Sequence, residues 1–434
     1  MTELAGRVVG IWGLGKEGLS MARTAAAEGA ARIVAVDDRD GIVVPGIPNL
    51  TVSSGPDAPE RLRDTDIVFV SPGVPWRHPV FAQMRDTGPV VSNAADWFMA
   101  RHGARTVGIT GTKGKSTTAA FLAHLLAGLG VPAVAAGNIG TPLSDLAEPD
   151  LSGAAGEWVV AELSSQQCAL LRTPPAVAVI TNLFQDHLDF HGDITAYYEA
   201  KSHVFGAATR CLVTTPAVIE ALRRIGISDL PPLRELDPAA VRTPAGDSVL
   251  SYAHNAVNAA LAALAAEQVL GRPVTAAEVD AAAATFTGLP HRLQTVRRTG
   301  GVRWIDDTLA TTGEAVVAAL TAMRSDEEIA LIVGGMDRAL DYRQLDAYLC
   351  SRRRRVTLIQ GPTNGARIGT GFAAAYPDRT HPVDSLEDAV RVAAAVPGVD
   401  VVLLSPGAAS YDIFRNYEEK AAVYCGYIDV IDTL

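Results

Sequence analysis

The run Gly108-Ile-Thr-Gly-Thr-Lys-Gly-Lys-Ser-Thr117 gathers glycines, lysines and hydroxyls where an apolar strand would hand over to a helix. A glycine-bearing loop at a helix N-terminus can wrap a phosphate chain with its backbone N–H groups. A lysine there reaches the terminal phosphates, and a hydroxyl ligates Mg²⁺. Gly111 and Gly114 suit the close backbone approach, Lys115 the phosphates, and Ser116 or Thr117 the metal. The spacing departs from the general phosphate-loop pattern: only Thr112 and Lys113 separate Gly111 from Gly114-Lys115. The motif is therefore a shortened variant, and its strand–loop–helix setting weighs against a chance glycine loop.

Three further groupings could do chemistry. Gly13-Leu-Gly-Lys-Glu-Gly18 follows an apolar run and opens a helical stretch, and Asp37 closes the next apolar run. Alone, this is a dinucleotide fingerprint, which establishes only that a diphosphate-bearing ligand can sit at that helix N-terminus. Glu162 heads Glu162-Leu-Ser-Ser165 at the end of another run. A carboxylate there can stand beside a Mg²⁺ held by Ser116, although a strand-end glutamate is more often a surface residue. Asp186-His-Leu-Asp189 sets two acids around an imidazole, which suits a polar active-site edge and equally a turn cap.

Positioning these groups requires strands and helices in alternation. Val8–Trp12, Ile33–Val36 and Ile67–Val70 read as buried strands, with a helix over Lys16–Glu28. Thr106–Ile109, Trp158–Glu162 and Ala176–Thr181 repeat the pattern, with a helix from Ser116. Asn255–Leu270 is an Ala/Leu-rich amphipathic helix expected to continue to the break at Gly288-Leu-Pro290. Arg303–Ile305, Ile329–Val333, Val356–Ile359 and Val401–Leu404 form a third set, and the basic run Arg352–Arg355 reads as a solvated helix end. Such alternation implies parallel sheets with helices on their faces. The fold class is α/β in three domains, at about residues 1–97, 98–289 and 290–434.

Composition narrows the functional classes. The 434 residues are 48% hydrophobic and 20% charged, ordinary for a globular protein, and the net charge of −11 argues against a nucleic-acid or anionic-membrane partner. The four cysteines, Cys168, Cys211, Cys350 and Cys425, are too scattered for a zinc site or a disulfide framework, so a reducing cytoplasm is expected. The N-terminus does not read as a signal peptide. The uncharged stretch Ser116–Ser144 holds His124, Pro132 and Asn138 and is expected as a buried helix and strand rather than a membrane insertion.

Taken in order, TGTKGKST, Gly137-Asn-Ile-Gly140, ELSS, DHLD, Lys201, His254-Asn-Ala-Val-Asn258, Leu289-Pro-His-Arg292 and Asp306-Asp307 resemble the Mur ligase family over nearly the whole chain. Within it the chain is most similar to the branch that adds glutamate to UDP-N-acetylmuramoyl-L-alanine. The early glycine motif, Ser71-Pro-Gly-Val74 and Leu404-Ser-Pro-Gly-Ala-Ala-Ser410 carry that likeness. The resemblance implies a Rossmann-like N-terminal domain for the UDP-substrate, a central P-loop ATPase domain, and a Rossmann-like C-terminal domain for the amino acid. It implies a monomer using ATP and Mg²⁺, two ions in all, with an acyl-phosphate intermediate. Gly111, Thr112, Lys113, Gly114, Lys115, Ser116 and Thr117 would contact ATP, with Asn255, Asn258, Arg292 and Asp307. Ser116, Glu162, His187 and Lys201 match metal-holding positions, Lys201 as a carbamylated lysine; Lys115, His187 and Lys201 would be the catalytic set. Gly13, Leu14, Gly15, Asp37, Asp38, Ser71 and Asn138 match the UDP-substrate site, and Thr311, Arg338, Ser410 and Tyr417 the amino-acid site.

The chain departs from that branch mainly in the last domain. Leu309 stands where a lysine is usual, Arg338 replaces a second lysine, Tyr417 a phenylalanine, and Gln166 an aromatic residue. Losing one cation and exchanging another for a planar fork bears on which amino acid, and which enantiomer, is held. L-Glutamate in place of D-glutamate is one alternative. A non-catalytic UDP-sugar or nucleotide sensor of the same fold is another, and a dehydrogenase would rest on the first glycine motif alone.

Overall fold

Seventeen strands occur among the described residues of the computed structural model, which are 3–432 except 40, 43, 45, 75–77, 147–156, 246–248 and 352–354. Most of the basic run at 352–355 thus lies outside the described residues. The first sheet is built from β1 (Val8–Trp12), β2 (Arg32–Asp37), β3 (Leu50–Ser54), β4 (Ile67–Val70) and β5 (Val90–Ser92), in the order β3-β2-β1-β4-β5. All its pairings are parallel. Its central strands are buried on both faces and read as unbroken apolar runs, which is how strands under helices on both sides must read.

The second sheet contains β6 (Thr106–Thr110), β7 (Ala133–Gly137), β8 (Trp158–Glu162), β9 (Val177–Ile180), β10 (Cys211–Thr214) and β11 (Leu233–Glu235). Their order is β11-β10-β9-β6-β8-β7, again all parallel. The uncharged stretch resolves as expected into the helix Lys115–Gly128 followed by β7. No helix among the described residues is long and apolar enough to cross a membrane.

The third sheet contains β12 (Gln294–Thr299), β13 (Val302–Asp306), β14 (Ile329–Val333), β15 (Val356–Gln360), β16 (Thr380–Pro382) and β17 (Val401–Leu404), in the order β12-β13-β17-β14-β15-β16. It is parallel except for the hairpin β12–β13. That hairpin turns on Gly300-Gly301, whose φ values of +57° and +86° are those a two-residue turn between twisted strands demands.

One expectation is corrected. The helix begun near Asn255 does not run on to Gly288. It ends at Leu270, and a second helix covers Ala276–Thr285. Gly271-Arg272-Pro273 breaks it: the glycine takes φ +66°, and the proline cannot donate the next helical hydrogen bond. Thr275 and Glu278 then form a reciprocal capping box that starts the new helix.

The chain forms two compact units, Met1–Gly246 with His254–Phe286, and Asp247–Ala253 with Thr287–Leu434. The first unit holds the first two sheets, joined by one apolar cluster that includes Val9, Ile11, Met21, Phe98, Leu143, Val159 and Ile180. Polar contacts reinforce the junction. Ser20 Oγ lies 2.6 Å from both Ser144 Oγ and Asp145 Oδ1, and Arg23 pairs with Asp145 at 3.1 Å. The second unit packs its helices on both faces of the third sheet, around Leu331, Val333, Leu358 and Phe372 on one side and Trp304, Ile332 and Tyr424 on the other.

Candidate functional site

The shortened glycine loop leaves the carboxyl end of β6 and feeds the Lys115–Gly128 helix, capped by Gly114 in the left-handed region at φ +83°. A side chain on Gly114 would lie 2.3 Å from Asn258 Oδ1, and one on Gly111 would lie 2.0 Å from Thr181 Oγ1. Gly111 is thus required by the close approach of Thr181, and Gly114 by its left-handed backbone. Asn258 reaches it from the Ala253–Leu270 helix, where its amide donates to Asn255 Oδ1 at 3.0 Å. The segment after β9 fixes the other side. Thr181 Oγ1 donates to Lys113 O at 2.7 Å, Asn182 Oδ1 accepts from Lys113 N at 2.9 Å, and Thr112 Oγ1 accepts from Phe184 N at 2.9 Å. Lys115 Nζ donates to Gly111 O and Thr112 O, both at 3.1 Å, so its charge sits over the loop. Ser116 and Thr117 are half-buried in the first helical turn.

Beneath the loop lies Lys201. It is fully buried and donates to Gly111 O at 2.8 Å, so it is not the surface lysine its helix position would suggest. Burial, helped by the nearby Lys115 charge, lowers its pKa to about 7. Glu162 closes β8, fully buried. Its Oε1 accepts from Asn138 Nδ2 at 2.9 Å, while its Oε2 has no hydrogen-bond partner. A buried carboxylate oxygen left without a donor suits a cation, so the donors here fit a Mg²⁺. His187 stands half-exposed with φ +50°, 4.0 Å from Asp186, which pairs with Lys113 at 3.3 Å. Among the described residues no three His, Cys, Asp or Glu side chains gather into a metal cluster. The expected metal positions are a mixed set of a hydroxyl, a carboxylate, an imidazole and a lysine.

Several residues at this site escaped the sequence reading. Thr181 and Asn182 brace the loop, and Tyr197 donates to Thr112 Oγ1 at 3.2 Å. His191 Nε2 lies 2.9 Å from Ser165 Oγ, and burial, with the charges of Lys201 and His187, lowers its pKa to about 4. The continuation of DHLD into Phe190-His191-Gly192 was a usable signal for His191, whereas Thr181, Asn182 and Tyr197 carry no motif.

A second site opens at the carboxyl end of the first sheet, where the strand order reverses between β1 and β4. A cavity of about 520 Å³ is lined there by Gly13, Gly15, Lys16, Glu17, Asp37, Asp38, Ser71 and Asn138, among others. Six of the seven expected UDP-substrate residues line it. The seventh, Leu14, donates its N–H to Asp37 Oδ2 at 2.8 Å. The Arg39 guanidinium beside Asp37 holds that carboxyl down at about 2. Ser71 Oγ donates to Gly13 O at 2.8 Å, and a side chain on Gly18 would lie 1.8 Å from that same oxygen. The helix therefore starts in backbone contact with the glycine turn. Asn138 lines the cavity and also holds Glu162, so the two sites share one residue.

In the second unit, Thr311, Arg338 and Ser410 follow the carboxyl ends of β13, β14 and β17, which are adjacent strands. The loops after β14 and β17 touch backbone to backbone: Met336 N donates to Ala409 O at 2.7 Å. Ser410 is buried, and its Oγ has no hydrogen-bond partner. Tyr417 opens the Tyr417–Asp432 helix with its ring 5.3 Å from that of His291, and Arg338 is exposed. Asp307 is buried, accepting from Ser405 Oγ at 2.7 Å and Leu293 N at 3.2 Å, and burial raises its pKa to about 7. Arg292 is exposed nearby in sequence, and Leu309 is half-buried, its N–H on His291 O at 3.3 Å.

Comparison with known proteins agrees with this layout. The Mur ligase middle domain matches residues 109–219, and the Mur ligase glutamate ligase domain matches residues 291–407. The chain is 38% identical to the UDP-N-acetylmuramoyl-L-alanine–L-glutamate ligase of Salinispora tropica, over 98% of both chains. It is 31% identical to the UDP-N-acetylmuramoylalanine–D-glutamate ligase of Nitratidesulfovibrio vulgaris, over 96% of this chain and 95% of that one. The crystal structure of the UDP-N-acetylmuramate–alanine ligase MurC from Thermotoga maritima superimposes with a TM-score of 0.58 at 19% identity, covering 98% and 99% of the two chains. With both domain models matched and identity of 38% over nearly the full length of a family member, this protein belongs to the Mur ligase family.

Proposed function

We propose that the chain is an ATP-dependent ligase that joins L-glutamate to UDP-N-acetylmuramoyl-L-alanine during peptidoglycan precursor synthesis in the cytoplasm. The observation that carries this reading is Asn138. It lines the cavity at the first sheet and holds Glu162 beside the glycine loop, so a ligand seated in the cavity can present its far end to a bound triphosphate. The L-enantiomer is favoured by the relative of that name at 38% identity, and by Leu309 and Arg338 standing where lysines are usual.

The alanyl carboxylate attacks the γ-phosphorus of ATP, a C–O–P linkage forms, and ADP leaves. The glutamate amine then attacks the acyl carbon, loses a proton, and phosphate departs. The first step brings two anions together, and the Lys115 ammonium offsets that repulsion. Gly111 to Thr117 would cradle the phosphates, with Asn258 and Asn255 beside them and Arg292 and Asp307 as further nucleotide contacts. Ser116 and Glu162 would hold one Mg²⁺ and His187 with Lys201 a second, and such ions supply Lewis-acid neutralisation of phosphate charge. The low pKa of Lys201 leaves part of its amine neutral near pH 7, the form that can add CO₂. Thr311, Arg338, Ser410 and Tyr417 would receive the incoming amino acid, with the unpartnered Ser410 hydroxyl free to meet a carboxylate.

Purified protein should release phosphate only when ATP, Mg²⁺, UDP-N-acetylmuramoyl-L-alanine and glutamate are all present, with L-glutamate preferred. Absence of product across a panel of D- and L-amino acids would defeat the assignment. Restoring a cation at Leu309→Lys should shift the L-to-D ratio of kcat/KM toward D-glutamate. An unchanged ratio would remove Leu309 from the amino-acid pocket.

A further inference from the structure

Glu17 lies in the first turn of the Lys16–Ala27 helix and lines the cavity at the first sheet. The glycine turn, the helix N-terminus and the neighbouring Lys16 in that wall favour an anion, and of the two other carboxylates lining the cavity Asp37 is neutralised by Arg39 and Asp38 is hydrogen-bonded to Trp12. A carboxylate in the same wall would repel the ligand the wall is built to hold. Glu17 Oε1 accepts a 2.7 Å hydrogen bond from the Gln167 side-chain amide, a neutral donor that leaves the carboxyl charge uncompensated.

The charged groups around it are engaged elsewhere. Lys16 donates to Gly140 O, Asp37 is paired with Arg39, and Asp38 accepts from Trp12 Nε1 at 3.2 Å. Further along the helix Arg23 is paired with Asp145, and Glu28 with Arg101. From the second sheet, Glu162 is turned to Asn138.

We infer that Glu17 is a proton-holding wall of this cavity: its carboxyl is neutral when an anionic nucleotide diphosphate is bound, donates its proton to a ligand oxygen, and makes binding take up a proton. The inference rests on reading the cavity as the nucleotide-diphosphate site. Burial, the dominant influence, pushes the Glu17 carboxyl up to about 7, against the smaller lowering by Gln167. The sign follows. Below about pH 7 Glu17 is already protonated and binding is at full strength. Above it the carboxyl ionises and must be reprotonated to bind, so affinity falls as pH rises.

The test uses the full chain and UDP as the probe, by titration calorimetry in buffers of different ionisation enthalpy. At pH 7.5 the wild type should take up roughly 0.8 proton per UDP more than Glu17→Gln, and between pH 7 and pH 8.5 its Kd should rise roughly tenfold more. The terminal phosphate of UDP titrates in both proteins and cancels in the difference. Gln167→Ala removes the amide partner and leaves the carboxyl, so proton uptake should persist there; a purely structural bridge would be equally disturbed in both variants. Equal proton uptake and parallel pH profiles for wild type and Glu17→Gln overturn the inference. If neither protein binds UDP while both bind ADP, the cavity reading itself falls and takes the inference with it.

Discussion

Lys115→Ala should cut phosphate release by about three orders of magnitude or more while the protein stays folded. The ammonium sits over the glycine loop on two loop carbonyls, so it is held where a triphosphate must lie. Its loss removes the charge that lets a second anion approach, and Mg²⁺ alone offsets only part of that repulsion. The structural cost is small, since two hydrogen bonds from a half-buried lysine to an open loop are worth about 1 kcal/mol. Thermal melting should therefore change little, and UDP affinity should not change, because Lys115 does not line the cavity at the first sheet. A variant within about tenfold of wild-type rate would mean that this lysine does not meet the phosphates.

Gly18→Ala, in the helix that follows β1, should be the most damaging single methyl beside the first sheet. The added Cβ would lie 1.8 Å from Gly13 O and 3.0 Å from Gly13 C, which are backbone atoms and cannot rotate away. Either the helix start or the glycine turn has to move, at a cost of about 3 kcal/mol. The turn also carries the oxygen that accepts from Ser71, so the cavity wall moves with it. Denaturant midpoints and UDP calorimetry would both fall, UDP affinity by more than about tenfold. Unchanged values in both measurements would show that the helix and turn are not in hard contact.

The parts of this protein that were legible in its sequence are those whose chemistry is local. The glycine loop announces itself because a phosphate needs consecutive backbone N–H groups, and those lie next to one another in the chain. Val8–Trp12, Ile329–Val333 and Val401–Leu404 were readable because strands covered on both faces admit no polar residue. Edge and short strands were not. Leu233–Glu235 is exposed throughout, Leu50–Ser54 is nowhere fully buried, and Gln294–Thr299 carries two arginines. Nothing in such text separates a strand from a loop. The break at Gly271–Pro273 was visible as a glycine and a proline, but the alanine-rich composition on both sides masked it. Residues recruited from afar left no trace at all. Gln167 matters because it meets Glu17, and Tyr197 because it meets Thr112, each across a separation that only the folded sheets bring together. Lys201 shows the same limit in reverse: spacing alone reads it as a solvated helix residue, and its burial under Gly111 comes from the fold.

The apolar cluster shared by the first two sheets carries a consequence for how this chain is made. Residues 1–92 leave the ribosome before the second sheet does, yet Met21, Ala22, Ala25 and Ile33 belong to a cluster completed by Leu143, Leu146 and Val159. The nascent amino-terminal portion must therefore wait, partly uncovered, until later segments emerge, and is a natural client for chaperones during that interval. Nor can it be exchanged between relatives as a self-contained cassette: a chimera joined near residue 97 would have to match both sides of a single oily seam.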